Sequence, residues 1–198
     1  VTRQFTKYGQ IHKEFERGYD WFHQGESYIY FYYLSLANPA RRIQLERARR
    51  FAGFYLNEDP EALNYDPNLK LIRAPHNGSD GPRWGFSDED PPRYGWSEGM
   101  RSYGLPFHDV PGITHYDDLQ DPALASLMGQ AMHERLGRGD VPANLAATSL
   151  VTNAYLHTGD EKYKRWVLDY VEAWMDRARD NGGLLPDNIG LRGEVGEY

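Results

Sequence analysis

NLAATSLVTNAYLH, residues 144–157, and DEKYKRWVLDYVEAWMDRARD, residues 160–180, decide the fold of this chain. The first segment contains no Asp, Glu, Lys or Arg, so a helix there must be covered on most sides. In the second segment apolar residues recur at steps of three and four with charged residues between them, which predicts an amphipathic helix. The two segments therefore predict a buried helix followed by a half-exposed one.

Residues 26–56 repeat this arrangement. The segment from Glu26 to Ala37 is uncharged after its first residue. Asn38-Pro39 then predicts an N-cap followed by proline at the first helical position. Residues 40–56 form the second helix of this hairpin, with a solvated face of arginines. Shifting one hairpin by 123 positions aligns three apolar pairs, as expected of stacked helix pairs: Leu45 with Leu168, Ala48 with Val171, and Phe51 with Trp174.

Two further helices are predicted, at residues 4–17 and at residues 122–136, the latter opening at Asp121-Pro122. Thr158 or Asp160 is expected to cap the helix over 160–180, and the glycines at 182 and 183 to end it. No segment shows sustained strand alternation. The predicted fold class is therefore all-α.

Composition limits the possible partners. The chain has 198 residues, a net charge of −7 and no cysteine, which suits one domain or part of one. An acidic chain offers no uniform basic surface to phosphate backbones, so nucleic acid is not an expected partner. The longest uncharged stretch, residues 27–40, is too short and too polar to span a bilayer, so no membrane partner is expected. We expect a soluble protein, secreted or periplasmic.

Between the hairpins lies a segment, residues 57–121, that is predicted to be a long loop with a short helix near Trp96 to Tyr103. It is rich in proline and aromatic residues, holds three of the seven histidines, and has thirteen acidic against five basic residues. Connections of this length are uncommon in compact domains and are commonly functional. The loop is therefore the expected place of a site.

Uncharged inner helices that alternate with charged outer helices resemble the six-hairpin (α/α) toroids of carbohydrate-active enzymes. The resemblance covers residues 26–56 and 143–181, with LHTGDEKY (156–163) as its most typical turn. It implies a toroid and a glycan substrate. Glycoside hydrolases, polysaccharide lyases and relatives that process terpenes or transfer prenyl groups share this architecture, so the fold does not name the reaction.

A complete ring of six hairpins needs roughly 300 residues, at about 50 per helix pair. This chain supplies three or four hairpins. We therefore expect an incomplete toroid, whose helical array is completed by further chain or by a partner subunit.

The candidate chemistry is concentrated between Trp96 and Asp118. Glycoside hydrolysis needs a protonated carboxylic acid and a second carboxylate, and aromatic rings suit stacking on a sugar. Glu98 with Asp117 or Asp118 matches this requirement. As general acid, Glu98 is expected to be buried near Trp96, because an apolar pocket favours the protonated form.

Elimination from a uronate is an alternative reaction. It needs a group that neutralises the carboxylate and a Tyr or His base, roles that suit Asn77, Arg101, His115 and Tyr116. The charge of −8 on residues 57–121 favours a neutral glycan and therefore hydrolysis. A non-catalytic glycan-binding or scaffolding domain is the third alternative, and a solvated surface loop the fourth.

The predicted site lies where the loop closes over the openings of the buried helices. His23 and Glu26 lie at the mouth of the first of them, where Glu26 suits the helix dipole equally well. The expected substrate-binding residues are Trp84, Trp96, Arg101, His76, Asn77, His23 and Glu26. The spacing of His76, His108 and His115 with Asp109 or Asp117 matches no metal-site pattern, so neither a metal nor a cofactor is predicted.

Overall fold

The computed structural model describes residues 21–60, 63–75 and 93–197, with side chains from residue 28 onward. Helix makes up 54% of the structure and strand 5%, which confirms the all-α class. The described α-helices are α1 (Trp21–Ala37), α2 (Arg42–Gly53), α3 (Glu98–Arg101), α4 (Pro122–Arg135), α5 (Ala147–Thr158) and α6 (Glu161–Asp180). Two 3-10 helices span Tyr116–Gln120 and Pro142–Ala146. The helix predicted at 4–17 lies outside the described residues.

The second hairpin, α5 followed by α6, forms as its sequence pattern predicts. The uncharged helix α5 packs against α1, α2 and α6. Asp160 is the N-cap of α6, where its carboxylate accepts a hydrogen bond from the backbone N of Lys162 at 3.0 Å. At the other end the N of Gly183, which has a φ of 88°, donates to the carbonyl of Ala178. Only glycine adopts this backbone conformation without strain, so the helix ends here.

The start of α2 differs from its prediction. Its N-cap is Arg41, and no side chain caps the first turn. The N of Asn38 still donates to the carbonyl of Leu34, and the N of Arg41 donates to the carbonyl of Asn38. Asn38 therefore ends α1 instead of beginning α2. The predicted exposure of the arginine face is confirmed for Arg41, Arg42, Arg49 and Arg50, whereas Arg47 is half-buried.

The main core lies between α1, α2, α5 and α6. Four aromatic residues of α6 are buried at steps of three and four, as predicted: Tyr163, Trp166, Tyr170 and Trp174. Removing each large apolar side chain from water contributes roughly 1.5–3 kcal/mol. A two-residue antiparallel pair, β1 (Tyr65–Asp66) with β2 (Leu71–Ile72), adds Tyr65 and Ile72 to this core.

A buried carboxylate joins four distant segments beside this core. Asp140 accepts hydrogen bonds from the backbone N of Ile72, the amide of Asn144 and the hydroxyl of Tyr170, each at 2.9 Å. Its backbone forms a pair of 2.8 Å hydrogen bonds with Ile189. Burial raises the pKa of Asp140 to about 6, although these hydrogen bonds oppose the rise. We call this arrangement the Asp140 junction.

Residues 93–136 form a second, smaller apolar cluster. Residues 93–121 contain only short regular elements, as predicted for a loop, and α4 begins at the predicted Asp121-Pro122 cap. The buried residues are Leu105, Val110, Ile113, Tyr116, Leu119, Met128, Ala131 and Met132. This part of the predicted loop therefore packs with α4 around a small core of its own.

Helix α1, which is uncharged after Glu26, is only partly covered. Tyr28 and Phe31 are buried, whereas Leu36 on α1 and Leu156 on α5 are each 65% exposed. Tyr33 on α1 is also exposed. Within the described residues, no helix combines the length and the apolar character needed to cross a membrane.

Candidate functional site

The structure brings several predicted site residues together around Asp117. One carboxylate oxygen of Asp117 accepts from the indole Nε1 of Trp96 at 2.9 Å, and the other accepts from Nη2 of Arg101 at 2.7 Å. Trp96 precedes Ser97, and Arg101 is the last residue of α3, so Asp117 closes this short segment onto the 3-10 helix. We call Trp96, Glu98, Arg101, Tyr116 and Asp117 the loop cluster.

Tyr116 anchors the loop cluster to the apolar core of residues 93–136. Its side chain is buried, and its hydroxyl accepts a hydrogen bond from the backbone N of Ser97 at 3.2 Å. Burial and the neighbouring Tyr116 hydroxyl raise the pKa of Tyr94. The Tyr116 hydroxyl is therefore already engaged with the protein, and its hydrogen bonds position the segment that carries Glu98.

Asp118 closes the turn that leads into the 3-10 helix. Its Oδ2 accepts from the backbone N of Thr114 at 2.8 Å, from the backbone N of His115 at 2.9 Å and from the Thr114 hydroxyl at 3.2 Å. The backbone hydrogen bonds from Thr114 and His115 hold the pKa of Asp118 below its usual value. Asp118 is an ionised structural group of this turn.

Glu98 is exposed, and this corrects the expectation that it is buried near Trp96. α3 contains no buried residue, and Trp96 is itself 38% exposed, so no apolar pocket encloses the carboxyl group. Of the three predicted carboxylates, Glu98 alone makes no hydrogen bond or ion pair within the described part of the chain. Both carboxyl oxygens of Asp117 and one of Asp118 are committed to holding the loop.

The other predicted residues are placed as follows. His115 and His108 are exposed. Asp109 pairs with Arg135 at 2.7 Å, and the Arg135 guanidinium lies 4.7 Å from the centre of the Phe107 ring. His76, Asn77 and Trp84 lie outside the described residues, as do the side chains of His23 and Glu26. Among residues 28–60, 63–75 and 93–197, no group of three potential ligands could hold a metal ion.

Sequence reasoning missed a groove along α6, with a volume of about 480 Å³. Its floor includes the rings of Tyr65 and Trp166, whose centroids are 5.2 Å apart. At its rim Nζ of Lys162 pairs with Glu58 at 2.6 Å. We call this feature the α6 groove; it is lined by Leu56, Asn57, Glu58, Tyr65, Pro67, Lys70, Lys162, Arg165, Trp166 and Asp169.

Two non-glycine residues of the α6 groove have left-handed backbone, Asn57 with a φ of 56° and Lys70 with a φ of 51°. The Asn57 side chain holds this position against β1, because it donates to the carbonyl of Tyr65 at 2.9 Å and accepts from the N of Tyr65 at 3.3 Å. Arg177 donates to the carbonyls of Leu69 and Lys70. Asparagine is among the non-glycine residues that tolerate this conformation best. An asparagine just after the predicted first hairpin was therefore the signal in the sequence for a left-handed turn at this place.

Comparison with known families gives a match over the whole sequence. The sequence profile of the family described as a domain of unknown function, DUF8034, matches residues 1–198. Comparison with curated proteins finds no match, and comparison with solved structures finds none either. Because the profile covers the whole sequence, the chain belongs to the DUF8034 family.

Proposed function

We propose that this chain is the glycan-recognition part of a carbohydrate-active protein and that the loop cluster is its binding surface. The observation that carries the proposal is the double hydrogen bond of Asp117, which fixes an aromatic ring and a guanidinium side by side. Trp96 is 38% exposed, and Tyr103, two residues after Arg101, is 80% exposed. An aromatic ring that is both held and exposed, as that of Trp96 is, suits contact with a ligand.

The chemistry of the loop cluster suits a neutral sugar. Sugar rings have an apolar face, which packs on an aromatic ring, and hydroxyl groups at their edge, which need donors and acceptors. Arg101 has five N–H donors and Asp117 several lone pairs, so each retains hydrogen-bonding capacity after their mutual contact. Because the pair is neutral as a whole, it does not select for an anionic ligand.

Glycoside hydrolysis is the second candidate, and the observation that favours it is the free carboxyl group of Glu98. The two carboxyl groups of such enzymes lie about 5–5.5 Å or about 6.5–9.5 Å apart. Asp117 and Asp118 are already occupied as anchors of the loop, so the second carboxylate would come from another part of the chain or of the assembly. Elimination ranks lower, because the Tyr116 side chain is buried and its hydroxyl holds the Ser97 backbone.

The same proposal includes the architecture. α1, α2, α5 and α6 form two hairpins of an (α/α) toroid whose array is completed by further chain or a partner subunit. The exposed apolar residues of α1 and α5, such as Leu36 and Leu156, support this view, because exposing a contiguous apolar face to water is unfavourable.

Calorimetric titration with neutral oligosaccharides of glucose, xylose and mannose, and with oligogalacturonate, tests the binding. We expect neutral chains to bind and Trp96→Ala to weaken them at least about tenfold, the equivalent of one good contact. Leu168→Ala, at an exposed position of α6, is the control. Formation of new reducing ends would show that the protein also hydrolyses glycans. An unsaturated uronate product would show that it cleaves them by elimination. Absence of binding to every glycan would contradict the proposal.

A further inference from the structure

The α6 groove carries charges that the proposed function does not use. Its lining includes three cations, Lys70, Lys162 and Arg165, and two carboxylates, Glu58 and Asp169. The groove therefore has a net charge of +1, although the whole chain has a net charge of −7. Lys162 and Glu58 neutralise each other through their 2.6 Å contact. Two cations and one carboxylate remain to meet a ligand.

Arg165 and Lys70 are the two remaining cations. In the part of the chain that the structure describes, neither side chain forms an ion pair. Arg165 is exposed on α6, and Lys70 is half-buried at the end of the turn that joins β1 to β2. The two charges therefore reach the groove from different elements. A guanidinium fork fits a carboxylate well, and an ammonium adds a further donor, so the pair suits one carboxylate group.

The turn that carries Lys70 is held in place by other residues. Arg177 donates to the carbonyls of Leu69 and Lys70, and the carboxylate of Asp66 accepts from the backbone N of Leu69 at 3.0 Å. Lys70 has a φ of 51°, a backbone conformation that glycine adopts at lower cost. Strained residues of this kind cluster at ligand sites. The lysine contributes a charge to the groove that glycine would not.

Asp169 limits which anion fits the groove. It follows Arg165 by four residues on α6, yet these two side chains form no ion pair with each other. Burial and then the charge of Asp169 raise the pKa of Tyr65, so this carboxylate lies close to the floor of the groove. A carboxylate accepts hydrogen bonds from hydroxyl groups and repels a multiply charged phosphate. The ligand therefore needs one negative charge with hydroxyl groups near it.

We infer that the α6 groove binds an acidic sugar unit, a uronate, whose carboxylate contacts Arg165 and Lys70 and whose hydroxyl groups donate to Asp169. This inference rests on the proposed function, because the glycan class is taken from it. Leu56 and Pro67 offer apolar contact to the sugar ring. The groove is open to solvent, so it accepts a unit within a longer chain. With the loop cluster on neutral units, the ligand is a mainly neutral glycan that carries uronate units.

Calorimetric titration with oligogalacturonate, and with the same oligosaccharide fully methyl-esterified, tests the inference. The ester keeps the sugar rings and removes their charge. We expect the acidic form to bind at least about tenfold more tightly than the ester. Its affinity should fall as salt is added, because salt screens charges at an open groove. Equal affinity for the two forms would overturn the inference.

Two variants locate the binding. Arg165→Gln should weaken oligogalacturonate binding about tenfold, because it removes one side of the carboxylate contact. Lys70→Gly should weaken it similarly at a nearly unchanged Tm, because glycine relieves the left-handed backbone but loosens the unfolded chain. Lys164→Gln is the matched control, since it removes an exposed cation outside the groove and should leave the affinity unchanged. Unchanged affinity in both groove variants would overturn the inference.

Two other anions test whether the groove recognises a sugar or only a charge. The probes are inorganic phosphate and tetraglutamate, each added as a competitor of oligogalacturonate at the same concentration of charge. We expect neither to compete, because Asp169 repels phosphate and the peptide side chains lack hydroxyl groups. Competition by either probe would show that the groove binds anions in general, and the inference would be wrong.

The outcomes separate the inference from the proposed function. If neutral oligosaccharides bind and Trp96→Ala weakens them, but Arg165→Gln and Lys70→Gly leave oligogalacturonate binding unchanged, the inference is wrong and the proposed function stands. If the two groove variants weaken oligogalacturonate and Trp96→Ala affects no glycan, the inference stands and the loop cluster is not the binding surface. If no oligosaccharide binds the wild-type chain, both are wrong.

Discussion

The hydroxyl of Tyr170 donates a hydrogen bond to the carboxylate of Asp140, 2.9 Å away, with both side chains fully buried. This contact connects α6 to the segment that precedes α5. Burial raises the pKa of Asp140 to about 6, from an ordinary value of 3.8. The Asp140 junction therefore makes the stability of the fold depend on pH.

Stability is expected to fall as pH rises from about 4 to about 6. In this range the folded chain binds a proton at Asp140 that the unfolded chain has released, so the free energy of unfolding decreases with pH. The full effect is on the order of 3 kcal/mol. Denaturant unfolding at several pH values measures it, and Asp140→Asn should remove the slope that this group contributes. An identical slope in the variant would contradict the assignment.

Tyr170→Phe should destabilise the fold by about 1–3 kcal/mol, because it leaves a buried carboxylate without one of its donors. The hydroxyl of Tyr170 favours the ionised form of Asp140, so its removal should also move the pH-dependent range upward. Unfolding curves of the variant across the same pH series give both quantities. Tyr155→Phe is a control, since the Tyr155 hydroxyl contacts Glu161 in an exposed hydrogen bond. A stability loss with no change in the pH range would contradict the contact with Asp140.

Asn57→Ala should cost about 1–3 kcal/mol, because alanine disfavours the left-handed backbone and lacks the two hydrogen bonds to Tyr65. Asn57→Gly separates the two causes, since glycine adopts this backbone freely but makes no side-chain contact. We expect the glycine variant to lie between the wild type and Asn57→Ala in free energy of unfolding. Equal losses in both variants would mean that the backbone conformation carries none of the cost.

Asp117→Ala should release both Trp96 and Arg101 while changing stability little, because exposed ion pairs contribute roughly 0–1 kcal/mol. Glycan affinity should fall by about as much as in Trp96→Ala, since the ring is no longer held. Calorimetric titration and thermal unfolding measured on the same samples check this. Asp109→Ala, which breaks an exposed pair with Arg135, is the matched control. Unchanged affinity in Asp117→Ala would mean that positioning of Trp96 does not matter.

The sequence was informative where the decisive interactions are local. The caps at Asp121 and Asp160 and the glycine stop at Gly183 act within a few residues of the helix ends, so pattern reasoning located them. The same reasoning failed at Asn38, which looks like an N-cap but is used by the last turn of α1. A sequence pattern does not show whether such a residue ends the preceding helix or begins the following one.

The candidate site was also predicted only in part, because the sequence shows which residues are close along the chain and not how distant segments pack. The density of aromatic and polar residues placed Trp96, Arg101 and Asp117 in one cluster. Their pairing across 16 and 21 positions depends on the packing of the 93–136 segment, which follows no simple period. The α6 groove depends on packing between α6 and residues 56–58 and 65–70, which lie far away in the sequence, so no local pattern predicts it.

The Asp140 junction also has a consequence for the order of folding. Asp140 binds Ile72 across 68 positions and Tyr170 across 30, whereas α5 and α6 are separated by two residues. Closing long loops has an entropic cost that must be met before distant contacts are rewarded. We therefore expect the α5–α6 hairpin to form first and the junction to close late, so Tyr170→Phe should chiefly accelerate unfolding and leave the refolding rate nearly unchanged. The buried carboxylate therefore chiefly controls the unfolding rate, and with it the lifetime of the folded chain.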